Sequence, residues 1–126
     1  MDLISLGLDL VEVSRVRAML EKSGDRFKER VFTEEESAYC DLCASPAIHY
    51  AARFAAKEAV AKALGTGLAE GVVWREIEVR RDAKGVPSIV LHGAAAEKAR
   101  AIGIRDWRIS LTHTAELAGA SVAAVG

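Results

Sequence analysis

The chain has 126 residues, enough for one domain that buries about two-thirds of its unfolded surface. Hydrophobic residues make up 51%, many of them alanine, and the formal net charge is −1, so no global field points to nucleic acid or membrane. No apolar run is long enough to span a bilayer and Met1-Asp2-Leu3 has no basic leader, so a soluble, cytoplasmic protein is expected.

Leu3 to Leu10 is short and apolar and reads as a strand, interrupted by the acid Asp9. Val13, Val16 and Leu20 then recur at helical spacing, with Gly24 as the expected stop and a short helical piece from Asp25 to Val31. Thr33 and Glu36 form a capping box that starts a helix at Glu34. Cys40 and Cys43 fall inside that helix. One such pair lacks the four ligands of a structural zinc site, so two reduced thiols are expected. Ser45-Pro46 supplies an N-cap and a first-turn proline for a long helix that ends at Gly65.

Beyond Gly71 the period changes. Ile77 and Val79 alternate with Glu76, Glu78 and Arg80, the pattern of a half-exposed strand. A turn over Asp82 to Gly85 returns the chain as a strand from Val86 to Leu91. Gly93 to Ile102 is an alanine-rich helix stopped by Gly103. Trp107 to Thr112 and Leu117 to Val125 are the last strands. The order β-α-α-α-β-β-α-β-β predicts an α+β fold, a mainly antiparallel sheet packed with a long helix.

The long helix carries the densest polar information. Arg53 and Lys57 are four apart and share a face, a like-charge pair that a bound anion would relieve. Glu58 and Lys62 are also four apart, in the order that favours a surface ion pair. Gly65-Thr66-Gly67 serves as a helix terminator and also as a loop that a phosphate can approach. Asp9 either caps the following helix or holds a cation. A magnesium site uses one or two carboxylates completed by phosphates and waters, and Asp9 with Glu58 would meet that need. His113 and Thr114 close the penultimate strand, where ring and hydroxyl suit phosphate or hydroxyl binding. Arg15, Arg17, Lys22 and Arg26, with Lys28 and Arg30, make a basic stretch that is either a solvated helix face or a docking surface. It lacks the aromatic platform of a nucleic-acid site.

Six segments taken together resemble the holo-acyl-carrier-protein synthases, small trimeric 4′-phosphopantetheinyl transferases. They are Gly7 to Glu12, Arg30 to Glu36, Arg53 to Ala59, Ala63 to Gly67, Trp74 to Pro87 and Ser110 to Thr114. The resemblance covers nearly the whole chain and implies one transferase domain over residues 1–126. It implies that Asp9 and Glu58 hold magnesium and that Lys62 is a catalytic-site lysine. It places Arg53, Lys57, Gly65, Thr66, Gly67, His113 and Thr114 along coenzyme A. It puts the docking helix for an acidic acyl carrier protein at Arg15, Arg17, Lys22 and Arg26, and it implies a homotrimer serving fatty-acid or polyketide synthesis. Two stretches depart from the family pattern. Ala44-Ser45-Pro46 stands where some members carry basic residues, and Gly85-Val86-Pro87 replaces the usual Gly-Lys-Pro. A non-catalytic nucleotide-binding trimer would need Arg53 and Lys57 but not Asp9 and Glu58 together; a structural interaction domain would need none of the four.

Overall fold

A computed structural model describes residues 1–126. The elements run β1 (Leu3–Glu12), α1 (Val13–Val31), α2 (Glu34–Leu42), α3 (Pro46–Leu64), a 3₁₀ turn (Trp74–Glu76), β2 (Ile77–Arg81), β3 (Pro87–Leu91), α4 (Gly93–Ala101), β4 (Asp106–His113) and β5 (Leu117–Val125). The expected α+β class holds, and all strand pairing is antiparallel. The strands divide, however, into a three-stranded sheet in the order β1-β5-β4 and a separate β2-β3 hairpin.

Helix α3 is the axis of the molecule. Alanines at 47, 51, 52, 55, 56, 59, 61 and 63 are buried almost all round it. Without bulk at these positions, the sheet, α1, α2 and β2 can all close onto one helix. On the sheet side, Ala118, Ala120, Val122 and Ala124 of β5 turn inward and are buried. Pro46 sits in the first turn, and Gly65 ends the helix at φ 80°, the left-handed cap that glycine adopts without strain. Ser45, expected to cap the start, makes no side-chain cap hydrogen bond.

One close approach sets the geometry of the site. A Cβ added at Gly7 would collide with the carbonyl oxygen of Ala59. Only glycine lets β1 lie this near the backbone of α3. Leu6, Leu8 and Leu10 alternate to the outer face of the sheet, while Gly7, Asp9 and Val11 face the helix.

The break expected at Gly24 falls one residue earlier, and the short helical piece after it forms. The helix bends at Ser23 (φ −148°, ψ 46°) and resumes to Val31. It resumes because Phe27 and Val31 have a core to enter. Phe27 packs edge-on against Phe32 at 5.6 Å, and Phe32 against Tyr50 at 4.9 Å. The capping box at Thr33 and Glu36 forms as expected. Strand β2 is not half-exposed: Ile77, Glu78 and Val79 are all buried. Glu78 tolerates burial because Thr33 Oγ1, His92 Nε2 and Arg80 Nη2 lie 3.0–3.1 Å from its carboxylate. Cys40 is buried and Cys43 partly so, and both are free thiols. No helix is long and apolar enough to cross a membrane.

Candidate active site

Strand β1 and helix α3 bring Asp9, Glu58 and Lys62 together. Lys62 Nζ donates to Asp9 Oδ1 at 2.7 Å and to the Leu8 carbonyl at 3.1 Å. The expected pairing of Lys62 with Glu58 along the helix does not form. The strand carboxylate lies within reach and captures the ammonium instead.

Asp9 Oδ2 is buried and has no hydrogen-bond partner. Glu58 lies beside it, and its pKa is pushed up to about 7, first by burial and then by the Asp9 carboxylate. Arg15 and Lys62 pull the other way without cancelling the rise. Two carboxylates crowded so that one resists ionising, with an orphaned oxygen between strand and helix, could hold a cation. No group of three or more His, Cys, Asp or Glu side chains stands together. A cation held here would have two protein ligands and would need water or phosphate for the rest of its shell, as magnesium commonly does.

Arg53 and Lys57 part company. Lys57 is fully buried. Its ammonium bonds Glu36 Oε1 at 2.7 Å, the Trp74 carbonyl at 3.1 Å and the Ile77 carbonyl. All three donors are used, so Lys57 presents nothing to a ligand. This corrects the expectation that it lines the coenzyme A site and that an anion relieves its repulsion with Arg53. The buried carboxylate of Glu36 does that work, from the same residue that closes the capping box. Arg53 is also buried, stacked over Tyr39 with Cζ 4.3 Å from the ring centroid.

Past α3, Gly65 and Gly67 adopt positive φ, and Thr66 Oγ1 donates to the Gly67 carbonyl at 2.8 Å. His113 is exposed at the end of β4, its ring 6.0 Å from that of His49. The Thr114 hydroxyl accepts from the amides of Glu116 and Leu117, which fixes the β4–β5 turn. On α1, Arg15, Arg17, Lys22 and Arg26 are all exposed. Arg15 reaches over Phe54, with Cζ 5.9 Å from the ring centroid, which places it near Glu58. Lys28, by contrast, is paired with Asp41 at 3.1 Å.

Sequence reasoning missed Gly7 as the residue that permits the strand–helix approach, and Glu36 as the partner of Lys57. A glycine inside an apolar strand signals close backbone approach, so the first was available in principle. The second was not, because Glu36 already had a complete local explanation as a cap.

The family model described as the 4′-phosphopantetheinyl transferase superfamily matches residues 5–112. A holo-[acyl-carrier-protein] synthase of Koribacter versatilis is 44% identical over 120 residues, covering 95% of this chain and 96% of that one. One from Methylobacterium nodulans is 48% identical over 124 residues, covering 95% and 94%. Among solved structures, the holo-[acyl-carrier-protein] synthase of Neisseria meningitidis superposes with a TM-score of 0.90 at 32% identity, covering 99% of this chain and all of that one. The Helicobacter pylori enzyme in complex with coenzyme A gives 0.84 at 28% identity, covering 95% and 99%.

Proposed function

The chain belongs to the 4′-phosphopantetheinyl transferase superfamily, among the holo-[acyl-carrier-protein] synthases, and from that premise we propose how its residues divide the work. The enzyme transfers 4′-phosphopantetheine from coenzyme A to a serine of apo acyl carrier protein. The serine Oγ forms a bond to the pantetheine-side phosphorus, the bond from that phosphorus to the bridging oxygen breaks, and 3′,5′-ADP leaves. The observation that carries the residue assignment is the orphaned Asp9 oxygen beside a Glu58 carboxyl that burial and Asp9 hold at about 7.

Asp9 and Glu58 would hold magnesium, which would supply charge neutralisation for a diphosphate lying against two carboxylates. Lys62 keeps one ammonium face on Asp9 and is more than half exposed, so its charge also reaches the departing phosphate. Glu58 accepts the serine proton, directly or through a water. Arg53, His113, Thr114 and the Gly65-Thr66-Gly67 loop line coenzyme A. Arg15, Arg17, Lys22 and Arg26 receive the acidic carrier, with Arg15 nearest the reacting groups.

The protein is a homotrimer, cytoplasmic, and serves fatty-acid or polyketide synthesis. Support for assembly comes from the outer face of the sheet. Leu6, Leu8 and Leu10 are each 65% exposed in one row, and beside them Gly119, Ser121 and Ala123 carry so little side chain that another protomer can approach.

The test is a loading reaction with coenzyme A, magnesium and apo carrier protein. The carrier gains about 340 Da, the mass of the phosphopantetheine arm. A carrier of unchanged mass overturns the activity. Loading that survives both Asp9→Ala and Glu58→Ala overturns the ligand assignment.

A further inference from the structure

The 3₁₀ turn Trp74–Glu76 is held from several sides. Lys57 of α3 donates to the Trp74 carbonyl at 3.1 Å and to the Ile77 carbonyl. One carboxylate oxygen of Glu76 accepts from the Val73 amide at 3.0 Å, and the other accepts from the Ala94 amide at 2.9 Å, in the first turn of α4. The His92 amide, just past β3, donates to the Glu76 carbonyl at 2.8 Å. Gly93 leaves room for this clamp, since a Cβ there would collide with Glu76 Oε2. A connection tied at both ends and to three neighbouring elements has one geometry, so the side chain it presents starts from a fixed place.

That side chain is Trp74. Its indole lies against Phe54 of α3, with ring centroids 5.0 Å and planes 38° apart. Phe54 is buried and meets Phe27 on another side at 6.1 Å. Arg15 of α1 stands over the same Phe54 ring, Cζ 5.9 Å from the centroid. Arg15 is exposed and takes part in none of the molecule's salt bridges. The aromatic face is therefore what restrains a long side chain that would otherwise sweep through solvent. Phe54 and Glu58 are one turn apart on α3 and share a face, so a guanidinium held over the ring stands next to that carboxylate.

We propose that Trp74 is a positioning residue for carrier loading: it backs Phe54, and Phe54 holds the Arg15 guanidinium where the acidic carrier brings its serine. The inference rests on the transferase reading and on the carrier-docking role that this reading gives Arg15. Trp74 acts through Arg15 and not on a substrate. Without the indole, the Phe54 ring can turn into the vacated space and the cation loses its face. If Trp74 only filled the core, its loss would cost stability and would not single out the carrier.

Steady-state loading kinetics on the full chain test the role. Trp74→Leu should raise KM for apo carrier protein about fivefold, the scale of one lost cation–π contact, with kcat and KM for coenzyme A within about twofold. Trp74→Phe keeps a ring against Phe54 and should stay within about twofold of the parent in all three constants. In an Arg15→Gln background, Trp74→Leu should add less than about twofold, because the group it positions is gone. Trp74→Met keeps apolar bulk without a ring and carries the test if Trp74→Leu fails to fold. An unchanged KM for carrier, an equal rise in both Michaelis constants, or the same loss with and without Arg15 overturns the proposal. Any of these in a parent that loads carrier normally sinks the positioning role alone. A parent that loads no carrier sinks the transferase reading and the proposal with it.

Discussion

Lys62 Nζ lies 2.7 Å from Asp9 Oδ1, joining α3 to β1 across 53 residues of chain. The pair holds an exposed ammonium beside the Asp9 and Glu58 carboxylates. If its charge meets charge that grows on the leaving phosphate, Lys62→Ala should lower kcat about 100-fold and raise KM for coenzyme A far less. Steady-state kinetics decide. Parallel, small changes in both constants mean that the pair is only a surface bridge.

Glu58 makes the metal-free protein sensitive to pH. The folded state keeps the Glu58 proton to about 7, whereas the unfolded chain releases it near the ordinary 4.5. Between those values the folded state binds more protons, so stability falls as pH rises through the window. Thermal melts in chelator should therefore show a falling Tm from pH 4.5 to 7. Glu58→Gln should flatten that slope, and magnesium should oppose the fall in the parent. A variant with the parent's slope would show that another group is responsible.

Gly7→Ala should disable the enzyme without touching a reacting group. The added methyl collides with the Ala59 carbonyl and must push β1 from α3, which carries Asp9 away from Glu58. A shift of about 1 Å in such a constellation costs on the order of 100-fold in rate. Near-parent turnover, measured on protein with native circular dichroism, would show that the strand yields elsewhere.

Lys57 should behave as a structural residue. Lys57→Ala leaves Glu36 buried and unpaired, at a cost of about 3–5 kcal/mol in urea unfolding. The fraction that remains folded should bind coenzyme A with unchanged affinity. A weakened affinity with little loss of stability would return Lys57 to the ligand site.

Arg15→Glu should raise KM for carrier protein about tenfold or more and leave KM for coenzyme A nearly unchanged, because complementary charge guides docking and register. High salt should weaken carrier docking in the parent, as screening removes the attraction. Carrier kinetics indifferent to both changes would make the basic stretch an ordinary solvated face.

What the sequence determined by itself was local. Thr33 and Glu36 start α2, and Pro46 and Gly65 bracket α3, because capping and left-handed turns depend on residues within four positions of one another. The residues proposed to hold magnesium were also legible, but as separate acids whose meeting no spacing could show. Tertiary structure decided what each charge faces. Lys62 went to Asp9 rather than Glu58, Lys57 to Glu36 rather than a ligand, and Glu78 into the interior rather than to solvent. The break at Ser23 beside Gly24 was legible, but that the piece beyond it packs Phe27 and Val31 into the core was decided by the fold. The energy of a charge or an apolar side chain is set by what packs across from it, and in this fold those partners come from other elements.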